Sequence, residues 1–246
     1  MNKYINKYII ETKNLSKKHG TQFRVNQLCL KIPEGCVYGF LGPNGAGKST
    51  TLKLLLGLLK PTDGEIYFMG KQMTEKNRLS ILKYTGSLIE SPSFYGHLTG
   101  LENLQIIAKL KKVPAEEITK VLHIVRLYDQ KDKFVKQYSL GMKQRLGIAM
   151  ALLGKPRILI LDEPTNGLDP AGIQEIRELI KSLPETYQMT VIVSSHLLSE
   201  VEQMADMVGI INHGKVVFQG TMAELETQGD NLEEIFLSLT GGTESL

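Results

Sequence analysis

The chain alternates short apolar runs with segments of helical periodicity, a pattern typical of an α/β protein. Three of the apolar runs are continuous, as in strands buried on both faces of a parallel sheet. These runs are Val37–Leu41, Arg157–Asp162 and Val191–His196. A helical pattern follows each of the first two runs. The pattern at Thr51–Leu56 predicts a first helix, which we expect to stop near Pro61. A second helix is predicted at Ala171–Ser182, closed by Pro184.

The regions around this core have different patterns. Short strands and turns over residues 8–40 predict an N-terminal antiparallel β subdomain, with a further strand and turn at Glu65–Gly70. Between approximately residues 91 and 153 the periodicity becomes helical. Helices are expected at Leu101–Lys112, at Ala115–Val125, from near Ser139 and, towards the end of the chain, from Asn231. We interpret residues 1–246 as a single domain with a helical subdomain inserted in the α/β core.

Composition narrows the classes of function. The chain has 246 residues, 42% of them hydrophobic, and a formal net charge of only +3, which is too small an excess to indicate nucleic-acid binding. The longest apolar stretches, such as Ile148–Leu153, are too short to cross a bilayer, so we expect a soluble chain. Cys29 and Cys36 lie among apolar neighbours, and we interpret them as reduced core residues.

A glycine-rich loop lies where the first buried strand passes into a helix. Its residues are Gly42, Pro43, Asn44, Gly45, Ala46, Gly47, Lys48, Ser49 and Thr50. They fit the phosphate-binding pattern G-x-x-x-x-G-K-[ST], in which backbone N–H groups and a helix N-terminus face a polyphosphate. In this pattern Lys48 reaches the β- and γ-phosphates, and the Ser49 hydroxyl ligates Mg²⁺.

The two later apolar runs end in polar side chains that suit nucleoside-triphosphate hydrolysis. Asp162 is placed to hold Mg²⁺ through water, and Glu163 is placed to orient the attacking water or accept its proton. His196, at the end of its own strand, is placed to donate to the γ-phosphate. Acid pairs and strand-end histidines also serve structural roles, so the context of the phosphate loop decides this interpretation.

Together these motifs resemble the nucleotide-binding subunit of an ATP-binding cassette (ABC) transporter, over nearly the whole chain. Gly42–Thr50 is similar to the Walker A loop and Ile158–Glu163 to the Walker B strand with its catalytic glutamate. Tyr138–Met142 is similar to the signature, Gly167–Asp169 to the D-loop, and His196 to the switch histidine. The resemblance implies a P-loop NTPase core with a mixed, mainly parallel sheet.

The resemblance also implies ATP and Mg²⁺ as cofactors and a homodimer with ATP at its interface. In this family the signature of one subunit contacts the γ-phosphate held by the other. Ser139 and Gly141 would therefore act across the interface, and Asp169 would lie beside it. The transmembrane permease subunits are separate chains, which places this subunit on the cytoplasmic face of the cell membrane.

Three departures from the general family pattern matter. The signature keeps Ser139 and Gly141 but is otherwise divergent, and the adenine-stacking ring is replaced by His19, with Phe23 close by. The glutamine that normally contacts Mg²⁺ is replaced by Glu90, which keeps an oxygen for the metal's water shell and adds a negative charge. The alternative interpretation of Glu90 is a solvated acid before a proline turn.

Glu90 and the divergent signature are similar to those of the branch that confers bacitracin resistance and lantibiotic self-immunity in Gram-positive bacteria. This implies an ATPase subunit that powers export or membrane clearance of an antimicrobial peptide. An exporter of a lipid, drug or polysaccharide is an alternative. A soluble cassette acting on nucleic acid or ribosomes is disfavoured by the single cassette and the small basic excess. A binding module without turnover is disfavoured by the complete set of Lys48, Asp162, Glu163 and His196.

Overall fold

Two β-sheets and the helices packed on them make up the computed structural model, which describes residues 8–90, 93–229 and 231–241. In chain order the strands are β1 (Tyr8–His19), β2 (Gln22–Leu28), β3 (Lys31–Pro33), β4 (Val37–Leu41), β5 (Asp63–Phe68), β6 (Lys71–Gln72), β7 (Thr85–Leu88), β8 (Ile158–Asp162), β9 (Thr190–Ser195), β10 (Met207–Asn212) and β11 (Lys215–Thr221). The helices are α1 (Lys48–Leu55), α2 (Arg78–Leu82), α3 (Gly100–Lys111), α4 (Ala115–Ile124), α5 (Leu140–Leu152), α6 (Pro170–Tyr187), α7 (Leu198–Glu202), α8 (Met222–Glu226) and α9 (Leu232–Thr240). Short 3₁₀ turns cover Tyr128–Gln130 and Val135–Gln137.

The larger sheet carries the predicted buried strands. Within the described residues it has six strands in the order β11-β10-β4-β9-β8-β7. All neighbouring pairs are parallel except β10 with β11. The smaller sheet is antiparallel and joins β1 to β2, β3 and β5, with β6 at its edge. The α/β class, the mixed sheet and the N-terminal antiparallel sheet are therefore confirmed.

Helices α3, α4 and α5 lie between β7 and β8 in the chain and share one buried apolar cluster with residues of β8 and β9. Their starts agree with the sequence signals. Thr99 forms a capping box with Glu102, and the Ser139 hydroxyl accepts from the Met142 N–H at 3.2 Å. Ser91 and Pro92, where the predicted helical insertion begins, lie outside the described residues.

Two predicted helix ends are wrong. Helix α1 ends at Leu55 rather than near Pro61, because Gly57 adopts a left-handed conformation (φ +60°). The Gly57 N–H bonds to the Leu54 carbonyl and the Leu58 N–H to the Lys53 carbonyl, the pattern of a Schellman cap. Helix α6 continues through Pro184 to Tyr187. Pro184 removes one helical N–H, yet burial of the neighbouring Leu183 keeps this turn packed on the core.

The prediction that both cysteines are core residues holds for Cys36 and is wrong for Cys29. Cys36 is buried, and burial raises the pKa of its thiol to about 12. Cys29 is exposed instead. Its neighbours Leu28 and Leu30 are both buried, and successive side chains of an extended segment point to opposite faces, so Cys29 points away from the core.

Candidate functional site

The carboxyl ends of three adjacent strands define the site. Strand β9 pairs with β4 on one side and with β8 on the other. In this register Leu41 lies beside Ser195, and Asp162 lies beside Ser194. The phosphate loop, the two acids and His196 therefore leave the sheet at neighbouring points. Ligands of open parallel sheets bind at this edge.

The loop after β4 has the tight backbone that a phosphate cradle needs. The Ala46 N–H bonds to the Pro43 carbonyl at 3.1 Å, and Gly47 has φ +110° just before α1. A Cβ on Gly47 would lie 2.4 Å from the Arg24 carbonyl oxygen, so this position requires glycine. The loop thus places the N-terminus of α1 at the edge of the sheet. The unpaired N–H groups and the positive end of the helix dipole lie there.

Lys48 lies inside the loop and is only 5% exposed. Its Nζ donates to the carbonyl oxygens of Gly42 at 2.6 Å and Pro43 at 3.3 Å, and lies 3.7 Å from Glu163 Oε1. Burial lowers the pKa of Lys48, and the nearby Glu163 and Asp162 carboxylates oppose this shift. The ammonium group is therefore held by two neutral carbonyls and lies at salt-bridge distance from one carboxylate. A phosphate oxygen can replace the carbonyl partners.

Asp162 and Glu163 are positioned by one hydroxyl that the sequence analysis did not single out. Ser194 Oγ donates to Asp162 Oδ1 at 2.5 Å and accepts from the Glu163 backbone N–H at 2.9 Å. This bridge ties the end of β8 to the end of β9. Glu163 itself has φ +46°, a strained conformation for a residue with a side chain, and such strain persists where the surroundings impose it, often at functional sites.

The Glu163 carboxylate connects the loop to the predicted switch histidine. His196 Nδ1 lies 3.3 Å from Glu163 Oε1 without the geometry of a hydrogen bond, and Nδ1 has no other partner in the described chain. Asn166 Nδ2 donates to Glu163 Oε2 at 3.4 Å. The structure thus brings Lys48, Glu163 and His196 together as the sequence analysis predicted. Their catalytic roles stay predictions.

A cavity of about 670 Å³ opens beside these groups. Its lining includes four side chains with oxygen ligands, Ser49, Glu90, Asp162 and Glu163, and residues from the first turns of α5. A hydroxyl and carboxylates are the ligand types that Mg²⁺ prefers. Ser49 and Asp162 therefore fit the predicted metal site.

Glu90 lines this cavity but is held by another side chain. Its Oε1 accepts from Lys53 Nζ of α1 at 2.5 Å, and its backbone has φ +62°. This hydrogen bond and the charge of Lys53 lower the pKa of the Glu90 carboxyl. Its predicted contact with the metal's water shell stays a prediction.

The predicted interface residues lie at helix starts on the surface. Ser139 is exposed and caps α5, and Asp169 caps α6 by accepting from the Gly172 N–H at 3.2 Å. A Cβ on Gly141 would meet only Leu168 Cδ2, at 4.0 Å, so the space above this glycine is open within the described chain. These positions are accessible to a second molecule, as the predicted contact across a dimer requires.

The two candidates for adenine stacking lie at the tip of the β1–β2 hairpin. His19 and Phe23 are both exposed, and Phe23 has 44% of its surface accessible. Lys18 Nζ lies 4.4 Å from the centre of the Phe23 ring. The choice between His19 and Phe23 remains open.

A buried carboxylate behind the site was missed by the sequence analysis. Glu200, at 8% exposure, accepts from Thr165 Oγ1 at 2.9 Å and from Ser195 Oγ at 2.8 Å. Thr165 follows Asp162 and Glu163 in the chain, and Ser195 precedes His196. The sequence signal for this buried acid was the position of Glu200 between the apolar residues Leu198 and Val201, four residues after His196. Glu200 links the loop after β8 to the loop after β9.

We expect Glu200→Ala to lower the free energy of unfolding by about 2–3 kcal/mol, because it leaves the buried Thr165 hydroxyl without its acceptor and the Ser195 hydroxyl with only the Leu197 carbonyl, at 3.3 Å. Urea denaturation measures this change. Glu202→Ala, an exposed acid on the same helix, is the matched control and should change stability by less than about 0.5 kcal/mol. Equal midpoints for the two variants would show that the buried bridge does not stabilise the fold.

Within the stretches that the structure describes, no helix combines the length and apolarity needed to cross a membrane.

The geometry of the strand ends and the loop defines a P-loop nucleotide-binding site, and comparison with known proteins shows its family. The family profile described as "ABC transporter" matches residues 25–166. The chain belongs to the ABC transporter family, as an ATP-binding subunit.

Two relatives and one solved structure illustrate the similarity. The bacitracin transport ATP-binding protein BcrA of Bacillus licheniformis is 49% identical over 94% of this chain and 75% of its own length. The lantibiotic transport ATP-binding protein SrtF of Streptococcus pyogenes is 44% identical over 93% of this chain and 96% of its own. The dimeric cassette MJ0796, solved in a post-hydrolysis state with ADP and Pi, is 27% identical, with a TM-score of 0.77 over 87% of this chain and 98% of its own.

Proposed function

We propose that this chain is the ATP-hydrolysing subunit of an ABC transporter that exports an antimicrobial peptide or clears it from the membrane of a Gram-positive bacterium. The observation that carries the ATPase assignment is the convergence of Lys48, Asp162, Glu163 and His196 at adjacent strand ends. The names of the relatives BcrA and SrtF support the choice of cargo.

In this proposal the loop residues 42–50 bind the ATP phosphates, and Lys48 turns from the carbonyls of Gly42 and Pro43 to the β- and γ-phosphates. Ser49 and Asp162 would hold Mg²⁺, which neutralises phosphate charge when bound. Both residues line the same cavity in the described chain.

Hydrolysis breaks the bond between the γ-phosphorus and the β–γ bridging oxygen, and a bond from the water oxygen to the γ-phosphorus forms. Glu163 orients this water and accepts its proton, because its carboxylate is the one next to Lys48. His196 donates to the γ-phosphate. Asn166 and the Ser194 bridge fix the orientation of Glu163.

A second copy completes the site. The exposed Ser139 and the open space at Gly141 would face the γ-phosphate held by the partner, with Asp169 beside the contact. The dimeric MJ0796 cassette supports this arrangement, since it belongs to the same fold and binds ADP and Pi. Two nucleotides would then join the subunits, and ATP hydrolysis would allow the two subunits to separate.

The proposed partners are permease subunits encoded separately, which would hold the chain at the cytoplasmic face of the cell membrane. No nucleic-acid partner is proposed, since the net charge is only +3.

Resistance of living cells tests the cargo. A sensitive Gram-positive host is given this gene with its neighbouring permease genes, and the inhibitory concentrations of bacitracin and a lantibiotic are measured. We expect a rise of at least about fourfold for one of the two peptides. The rise should vanish with Glu163→Gln, since transport needs turnover. Unchanged sensitivity to both peptides, with active ATPase in isolated membranes, would contradict the peptide assignment and favour another cargo.

A further inference from the structure

A glutamate beside a nucleotide site is electrostatically unfavourable unless something neutralises it. Glu90 lines the same cavity as Asp162 and Glu163, so three carboxylates border the space that must accept a polyphosphate anion, with Lys136 and Lys143 also in its lining. Asp162 is bonded to Ser194, and Glu163 lies 3.7 Å from Lys48 Nζ. A cation paired directly with Glu90 offsets its charge, because like charges within a Debye length weaken anion binding.

Lys53 supplies that cation from a fixed position. It lies in the last turn of α1, the helix that begins at Lys48 in the phosphate loop. Its backbone carbonyl accepts from the Leu58 N–H in the cap that ends α1. Its Nζ lies 2.5 Å from Glu90 Oε1, and its side chain is 31% exposed against 68% for Glu90. The same helix thus presents cations to the site at two points.

We propose that Lys53 is the charge partner that makes a glutamate at position 90 compatible with a bound nucleoside triphosphate. This inference rests on the proposed nucleotide site and adds Lys53 to it as a positioning residue that acts through Glu90. The pair joins α1 to the segment after β7, where Glu90 has φ +62°.

Stabilisation of the fold is not the role of this pair. Ion pairs as exposed as Lys53–Glu90 contribute little to folding, since solvent screens them. Loss of Lys53 instead weakens the binding of an anion in the cavity, because the Glu90 carboxylate is then uncompensated. A purely structural role of Lys53 predicts that its loss lowers the melting temperature. A charge-compensating role predicts instead that its loss lowers the affinity for the nucleotide, by an amount that shrinks as the salt concentration rises.

Calorimetric titration with the non-cleavable analogue AMP-PNP and Mg²⁺ tests the proposal on purified full-length chains. We expect Lys53→Met to raise Kd by about three- to tenfold at low salt, and the increase to shrink at high salt. Lys53→Arg, which keeps the charge, should remain within about twofold of the parent. The double variant Lys53→Met/Glu90→Gln should recover most of the lost affinity, because the pair again carries no net charge. Melting without nucleotide should not differ among the variants.

Three outcomes would overturn the proposal. One is an unchanged Kd for Lys53→Met, and another is equal weakening in Lys53→Met and in the double variant. A third is weakening that accompanies a lower melting temperature and does not depend on salt. Failure of the parent chain to bind the analogue at all would overturn the proposed nucleotide site itself, and with it the role of Lys53.

Discussion

Glu163→Gln is expected to reduce ATP hydrolysis by at least about 100-fold while ATP binding is retained. The substitution keeps the size of the side chain and one oxygen near His196 and Asn166, but it removes the group that takes the proton from water. The variant should therefore accumulate with ATP bound, and the dimer should persist. Phosphate release measures the rate, and light scattering after gel filtration with ATP and Mg²⁺ measures the mass.

The control for this substitution is Glu185→Gln, which makes the same chemical change on the exposed face of α6. It should hydrolyse ATP at the parent rate and show no persistent dimer. A Glu163→Gln protein that turns over at the parent rate would show that another group orients the water. A slow variant that stays monomeric with ATP would keep the catalytic role and contradict the dimer.

Lys48→Ala is expected to weaken ATP binding by at least about 100-fold, which corresponds to about 3 kcal/mol. Lys48 is the buried cation of the loop, and its partners Gly42 and Pro43 are carbonyls that phosphate oxygens can displace. Without it, the triphosphate loses its strongest charged contact inside the cradle. Titration calorimetry measures the affinity.

Lys60→Ala is the control for the loss of a lysine, since Lys60 is exposed and pairs with Glu75 on the surface. It should bind ATP as the parent does. Circular dichroism must show that Lys48→Ala is folded, because the substitution also removes two hydrogen bonds from the loop. A folded Lys48→Ala protein with parent affinity would place the nucleotide elsewhere.

Local patterns predicted the elements that form the site. Continuous apolar runs at Val37–Leu41, Arg157–Asp162 and Val191–His196 identified three buried strands, and the structure places all three in one sheet. The phosphate loop was recognisable because its glycines, lysine and hydroxyl occur at fixed spacing between a strand and a helix. The start of α5 followed from Ser139, which caps this helix in the structure.

Contacts between distant segments were not predictable from such patterns. Ser194 bridges Asp162 and Glu163 only because β9 inserts between β4 and β8, and strand order is set by the whole fold. Glu200 and Lys53 acquire their partners in the same way. Pro184 misled the prediction of α6, since tertiary packing of the helix outweighs the loss of one hydrogen bond.

In the proposed dimer two copies of this chain bind ATP between them, and each completes the other's site. The structure of the Glu163→Gln protein with ATP and Mg²⁺ tests this arrangement. We expect the Ser139 hydroxyl of each copy to lie within about 3 Å of a γ-phosphate oxygen held by Lys48 of the other. The proposed dimer would be contradicted if ATP fills both phosphate loops while the copies join through another surface and Ser139 faces solvent.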